Sequence, residues 1–310
     1  MTLVGLETER KVLLSALKHA IPTLCIGETG CGKTSLVQEC AASLGRQVVR
    51  VNLDGGTTPD ELVGRCQLRG KETVFELGIL PYAMTNGAVL LLDELNAALP
   101  DTLFAIHAVL EQSPRLLIPE TGQEILPAKG FTVVATCNPS HEYAGTKALN
   151  PALYSRFGVV LRFVPLGGKD LLMALTTHVP EAKAPLVAKV GEMLELNEKL
   201  RKEEQITTRL TVREGIAALR LATNGLTESE ALAAALFGKL EALEQPVFAQ
   251  QYKKMETPSV EDTQTIQEVL ALAAQAEEFK KALGKAEKRI DGYTRVREII
   301  KAMKAIGAEE

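Results

Sequence analysis

The stretch from residue 24 to residue 36, Leu-Cys-Ile-Gly-Glu-Thr-Gly-Cys-Gly-Lys-Thr-Ser-Leu, constrains this chain more than any other. It carries the pattern G-x-x-x-x-G-K-[ST] as Gly27, Gly32, Lys33 and Thr34, after a short apolar β-type run (23–26) and before an amphipathic helical stretch (35–44). That strand-loop-helix context is what the pattern requires. Glycines let the backbone turn back so that consecutive N–H groups point into one concavity, and the following helix adds the positive end of its dipole. Gly27, Glu28, Thr29, Gly30, Cys31, Gly32, Lys33, Thr34 and Ser35 are therefore the candidate cradle for a polyphosphate. Lys33 reaches the β and γ phosphates as a compact charge, and the Thr34 hydroxyl is placed to ligate Mg2+.

A second signal lies downstream. Residues 88–92, Ala-Val-Leu-Leu-Leu, are wholly apolar and run into Asp93-Glu94. A strand so apolar is buried on both faces of a parallel sheet, and its carboxyl end is where ligands bind in open α/β folds. Asp93 is then placed to hold the Mg2+ shell and Glu94 to polarise an attacking water. Residues 131–136 form another continuous apolar run, ending in Cys137-Asn138-Pro139. Asn138 sits at the same edge, where its amide can orient the water or touch the γ phosphate.

Five runs read as strands: 23–26, 48–53, 88–92, 131–136 and 159–164. The Val-rich run 47–53 is expected to be buried like the others. A helix is expected over 3–20, a short helix over 59–63, β-like structure over 64–80 with turns at Gly70 and Gly78, and a helical turn over 81–86. A further helix is expected over 100–111, a hairpin over 115–126 and a short helix over 149–157 ending near Arg156. After Pro165-Leu166-Gly167-Gly168 the pattern is helical only, with stretches at 169–177, 185–201, 211–223 and 227–243 and a short helix within 246–258. Thr211 with Glu214, and Thr227 with Glu230, have capping-box spacing. Two more helices are expected at 259–289 and 293–306, split by Asp291-Gly292.

The expected architecture is thus α/β: a five-stranded parallel αβα core over residues 1–166, an all-helical lid domain over 167–250, and a C-terminal helical extension over 251–310. The 310 residues suffice for two or three domains. A net charge of -4 gives no global basic footprint and argues against a nucleic-acid binder. No run of about 18 uncharged apolar residues occurs, and the N-terminus lacks a signal-peptide core, so no membrane insertion and a cytoplasmic location are expected. The five cysteines show no C-x-x-C spacing and the four histidines no partner at metal-ligand spacing, so no zinc site is expected. Cys31 lies inside the phosphate loop, where its oxidation would block nucleotide binding, but buried apolar filler is the default role.

With these elements in order, residues 1–240 resemble the AAA+ ATPases. The closer resemblance is to the MoxR and dynein-related branch, which includes CbbQ, GvpN and the midasin modules. It rests on Val51-Asn-Leu-Asp54 with Thr57-Thr58, Asp60-Glu-Leu-Val-Gly64-Arg65, Phe75-Glu-Leu-Gly78, residues 89–96 and the hairpin at 115–126. The resemblance implies ATP as cofactor with Mg2+, residues 27–34 as Walker A, residues 89–94 as Walker B with Glu94 as catalytic base, and Asn138 as sensor 1. It makes Arg156 an arginine finger acting in a neighbouring subunit's site, and hence implies a homo-oligomeric ring, usually a hexamer. The resemblance places sensor 2 on Arg209, preferred because its Thr-Thr-Arg-Leu setting has the CbbQ form, with Arg213, which the capping box puts at a helix N-terminus, as the alternative. The hairpin at 115–126 is implied to face the ring pore or a partner. The function implied is remodelling of a separate protein partner, in this branch commonly one with a von Willebrand factor A domain. The alternative is a nucleic-acid motor subunit like the GTP-using McrB proteins. The absence of an Asn-Lys-x-Asp guanine motif and the acidic charge favour ATP and a protein target.

Overall fold

The structure, a computed structural model, describes residues 3–111, 113–138 and 149–253. The chain opens with α1 (Glu7–Lys18), β1 (Thr23–Ile26), α2 (Lys33–Ser43), β2 (Val48–Asn52) and α3 (Pro59–Val63), then the strands β3 (Gly64–Arg69) and β4 (Glu72–Leu77). It continues through α4 (Ile79–Thr85), β5 (Val89–Asp93), α5 (Pro100–His107), β6 (Leu116–Ile118), β7 (Gln123–Ile125), β8 (Thr132–Cys137), α6 (Pro151–Tyr154) and β9 (Val159–Arg162). Five helices follow: α7 (Gly168–His178), α8 (Ala184–Lys202), α9 (Val212–Thr223), α10 (Glu228–Ala235) and α11 (Glu244–Lys253).

β2, β5, β8, β1 and β9, in that order, form one parallel five-stranded sheet, so the five strands expected from the sequence are the five that pair. The three inner strands serve two cores at once. In β5, Leu90 and Leu92 enter one apolar cluster while Val89 and Leu91 enter the cluster on the opposite face with Leu36, Val37 and Cys40 of α2. β1 divides Leu24 from Cys25, and β8 divides Val133 and Ala135 from Val134, in the same way. The period of two in a strand explains this, and fully burying each leucine is worth about 1.5–3 kcal/mol. A third cluster, built from Leu175, Val187, Val190, Met193, Leu219 and their neighbours, belongs to the helices after residue 167.

Burial of β2 is where the structure departs from the sequence reading. β2 is an edge strand pairing with β5 alone, and of its residues only Val51 is buried. Valines suit a half-covered edge as well as a centre, and the polar Arg50 and Asn52 mark the exposed face. The expected β-like segment is a hairpin turning at Gly70, whose φ of 66° suits glycine. The stretch 100–111 is α-helical to His107 and continues as a 3-10 turn, Ala108–Leu110. The stretch 227–243 ends its helix at Ala235 and passes into a second 3-10 turn, Phe237–Lys239, around Gly238. Both capping boxes form: the Thr211 and Thr227 backbone N–H groups donate to Glu214 and Glu230 at 2.9 Å each. The expected helices at 259–289 and 293–306 lie outside the described residues.

A candidate nucleotide site at the strand ends

The loop from Gly27 to Gly32 returns the chain from β1 into α2. Gly32 caps α2 with φ 89°, a left-handed conformation that only glycine adopts freely. Gly30, with φ 84°, also lies so close to Thr211 that a Cβ there would stand 2.7 Å from the Thr211 Cβ. The phosphate loop and the cap of α9 thus meet at a point that admits no side chain on the loop.

Around this loop is a cavity of about 900 Å³ lined by Thr29, Gly30, Lys33, Thr34 and Ser35 from the loop and α2, and by Asp93, Glu94 and Asn138 from the strand ends. Lys33 is buried, and its ammonium donates to the Gly27 carbonyl at 2.6 Å, the Glu28 carbonyl at 2.8 Å and Asn138 Oδ1 at 3.1 Å. Residues 105 positions apart are therefore joined directly at the centre of the site. Asn138 is held in turn by Asn96, whose Nδ2 donates to the Asn138 carbonyl at 2.8 Å.

Asp93 is 3% exposed. Its Oδ1 accepts from the hydroxyls of Thr34 at 3.0 Å and Thr136 at 2.8 Å, and its Oδ2 accepts from Arg50 Nε at 2.6 Å. Thr34 and Asp93, the pair expected to hold Mg2+, do stand together. Both offer hard oxygen ligands, which is the chemistry Mg2+ prefers. No cluster of three or more His, Cys, Asp or Glu side chains able to cage a metal exists among the described residues.

Glu94 follows β5 with φ 58° and ψ 42°, left-handed geometry that costs a non-glycine residue about 1–2 kcal/mol. Its backbone N–H donates to Thr136 Oγ1 at 3.1 Å, which fixes the turn. The turn lifts the Glu94 side chain out of the sheet into the exposed mouth of the cavity.

Cys31 is buried and its Sγ donates to the Glu28 carbonyl at 2.9 Å. Burial pushes its thiol above the usual range and leaves it the weakly reactive protonated form, in keeping with filler. Burial likewise raises Cys137 to about 12.

The remaining arginines separate. Arg156 does not line the cavity; it donates to Glu111 Oε1 at 2.9 Å and to the Ala152 carbonyl at 2.7 Å. Arg213, in the first turn of α9, does line it, with Arg220 about two turns further along the same face of the helix. Arg209 faces a neighbouring cavity on the other side of the phosphate loop, where it pairs with Glu28 and lies 3.6 Å from Glu198. Burial lowers the Arg209 pKa to about 10, which leaves it cationic at neutral pH. The loop carrying Arg209 is anchored by Glu244, whose Oε1 accepts from Thr207 Oγ1 at 2.8 Å and Thr208 N at 3.0 Å. Burial alone would raise the Glu244 carboxyl, but these hydrogen bonds outweigh it and hold it at about 2.

Sequence reasoning did not single out Arg50, Asn96 or Thr136. Thr136 sits two residues before Asn138, one strand period away, and that spacing was a usable signal. Isolated polar residues such as Arg50 and Asn96 carry none.

Comparison with known proteins agrees with this geometry. Residues 22–157 match the family described as AAA domain (dynein-related subfamily). The denitrification regulatory protein NirQ of Stutzerimonas stutzeri is 31% identical over 233 residues, spanning 74% of this chain and 82% of NirQ. The aerobic cobaltochelatase subunit CobS of Sinorhizobium is 33% identical over 165 residues, 49% of this chain and 50% of CobS. Midasin of Giardia intestinalis is 36% identical over 159 residues, half of this chain but 3% of that far longer protein. The chain belongs to the MoxR-like, dynein-related branch of the AAA+ ATPases and is an ATP hydrolase.

Proposed function

We propose that the chain is a Mg2+-dependent ATPase that assembles into a homo-oligomeric ring, a hexamer, and uses hydrolysis to remodel or activate a separate protein partner. The observation that carries this reading is the meeting of Lys33, Thr34, Asp93, Glu94 and Asn138 at one cavity, with Arg156 outside its lining and paired with Glu111. The names of two relatives fit: NirQ is called a regulatory protein and CobS a subunit of a chelatase. Resemblance to the MoxR branch supports a partner with a von Willebrand factor A domain. No helix among the described residues is long and apolar enough to cross a membrane.

On this reading the backbone N–H groups of the phosphate loop hold the nucleotide, and Lys33 leaves the loop carbonyls for the β and γ phosphates. Thr34 and Asp93 would hold Mg2+, which supplies charge neutralisation at the phosphates. Glu94 takes the proton of the attacking water, which Asn138 orients. Arg156 of an adjacent subunit balances the charge that spreads over the γ-phosphoryl oxygens. Helices α7–α11 close over the nucleotide as a lid, with Arg213 as the lid cation that reaches the phosphates and Arg209 holding the loop from behind.

Purified protein should hydrolyse ATP, and Glu94→Gln should lower kcat about 10²–10⁴-fold while leaving ATP affinity within a few fold. Light scattering of the Glu94→Gln protein with ATP should report a hexamer. A monomer under those conditions, or unchanged turnover, would overturn the proposal.

A further inference from the structure

The buried carboxylate of Asp93 has a cation on it already. Arg50 Nε stands 2.6 Å from Asp93 Oδ2, on the carboxylate oxygen that the two threonine hydroxyls leave free. Lys33, another cation of the cavity, is engaged with two loop carbonyls and Asn138. Among the described residues Arg50 is the cation paired with Asp93. A carboxylate this buried is strongly unfavourable without a counter-charge, so something must fill that place whenever metal is absent.

The edge position of β2 makes Arg50 suited to fill it temporarily. Its side chain is 52% exposed while that of Asp93 is 4% exposed, so one partner of the pair is fixed and the other can swing. Strand alternation puts Arg50 and Asn52 on the α2 side of the sheet, and both line the nucleotide cavity. Arg50 therefore reaches Asp93 from the same open space into which a nucleotide enters.

We propose that Arg50 is a positioning residue that occupies the metal's place beside Asp93 in the nucleotide-free protein and yields it when nucleotide delivers Mg2+. The inference rests on the nucleotide-site reading above and deepens it. Metal and nucleotide are then captured together: Mg2+ alone must displace a cation held at contact distance, whereas Mg2+ bound to phosphate arrives with negative charge that the freed guanidinium can face.

The test is Mn2+ binding to nucleotide-free protein, read by electron paramagnetic resonance. Wild type should bind Mn2+ weakly, and Arg50→Gln should bind it at least about fivefold more tightly, because a unit charge about 4 Å from the site is gone. Arg50→Lys, which keeps the charge, should stay close to wild type. In parallel, millimolar Mg2+ without nucleotide should raise the melting temperature of Arg50→Gln and leave that of wild type unmoved. Equal Mn2+ affinities in wild type and Arg50→Gln would overturn the proposal, as would equal responses to Mg2+. A fluorescent ATP analogue with Mn2+ separates the two levels. If wild type binds it and the metal affinities are equal, only the Arg50 role fails; if wild type does not bind it, the site reading fails with it.

Discussion

Every residue of β5 and β8, which carry the core wall of the nucleotide cavity, is buried, whereas the lid wall stands on the first turn of α9, where Arg213 is exposed. On the core wall, position follows from packing. Leu90, Leu91 and Leu92 cannot shift by one residue without exchanging the two cores they fill, so Asp93 and Glu94 are delivered to the sheet edge by the apolar residues before them. On the lid wall, α9 packs into the helical core through Ala218 and Leu219, while its first turn is set by the Thr211 cap and leaves Arg213 exposed. The phosphate loop touches both, through Lys33 on Asn138 and through Gly30 on Thr211.

If that contrast is right, the largest stability effect should come from the core wall. Leu91→Ala should cost about 2–5 kcal/mol in chemical denaturation. A loss under 1 kcal/mol would mean that the strand end is not held by packing. The lid should lose less. Glu244→Gln should cost about 2 kcal/mol, because the acceptor of these hydrogen bonds loses its charge. It should also change the acid limb of stability. The Glu244 pKa in the folded protein, about 2, lies below its unfolded value of about 4.3, so its stabilisation is complete above that value. It fades as pH falls from there toward about 2. Wild type should therefore lose stability more steeply than Glu244→Gln across that window, and parallel curves would refute the anchor. The smallest effect sharpens the lid itself. Arg213→Ala should weaken ATP binding about tenfold, as loss of one charged phosphate contact implies. Arg209→Ala should leave ATP affinity within about threefold and act on the loop through Glu28. The reverse ranking would move the lid's phosphate contact to Arg209.

The same contrast decides how much of the molecule was legible in its sequence. Continuous apolar runs ending in Asp93-Glu94 and in Asn138 gave both the sheet and the position of those side chains, because burial on two faces leaves one reading. Gly27 to Thr34 was legible because a tight phosphate loop needs glycine where φ is positive, as at Gly30 and Gly32. Helix starts at Thr211 and Thr227 were legible from their caps. β2 was misjudged as buried because valine alternation does not tell an edge from a centre, and the strand order was needed to see it. Arg50 was missed with it, since a lone arginine on a strand declares no partner. Arg209 and Arg213 could not be separated by spacing: they are four residues apart, and the turn into α9 sends them to opposite sides of the phosphate loop.

The central claim is that the site is completed by another copy of the chain, with Glu94 serving its own subunit and Arg156 the next. Mixing Glu94→Gln with Arg156→Ala protein tests it directly. Each variant alone should assemble and hydrolyse ATP at a small fraction of the wild-type rate. Mixed rings should regain activity, highest near equal proportions, because some interfaces then pair an intact Glu94 with an intact Arg156. Rings that mix but stay inactive at every proportion would contradict the account.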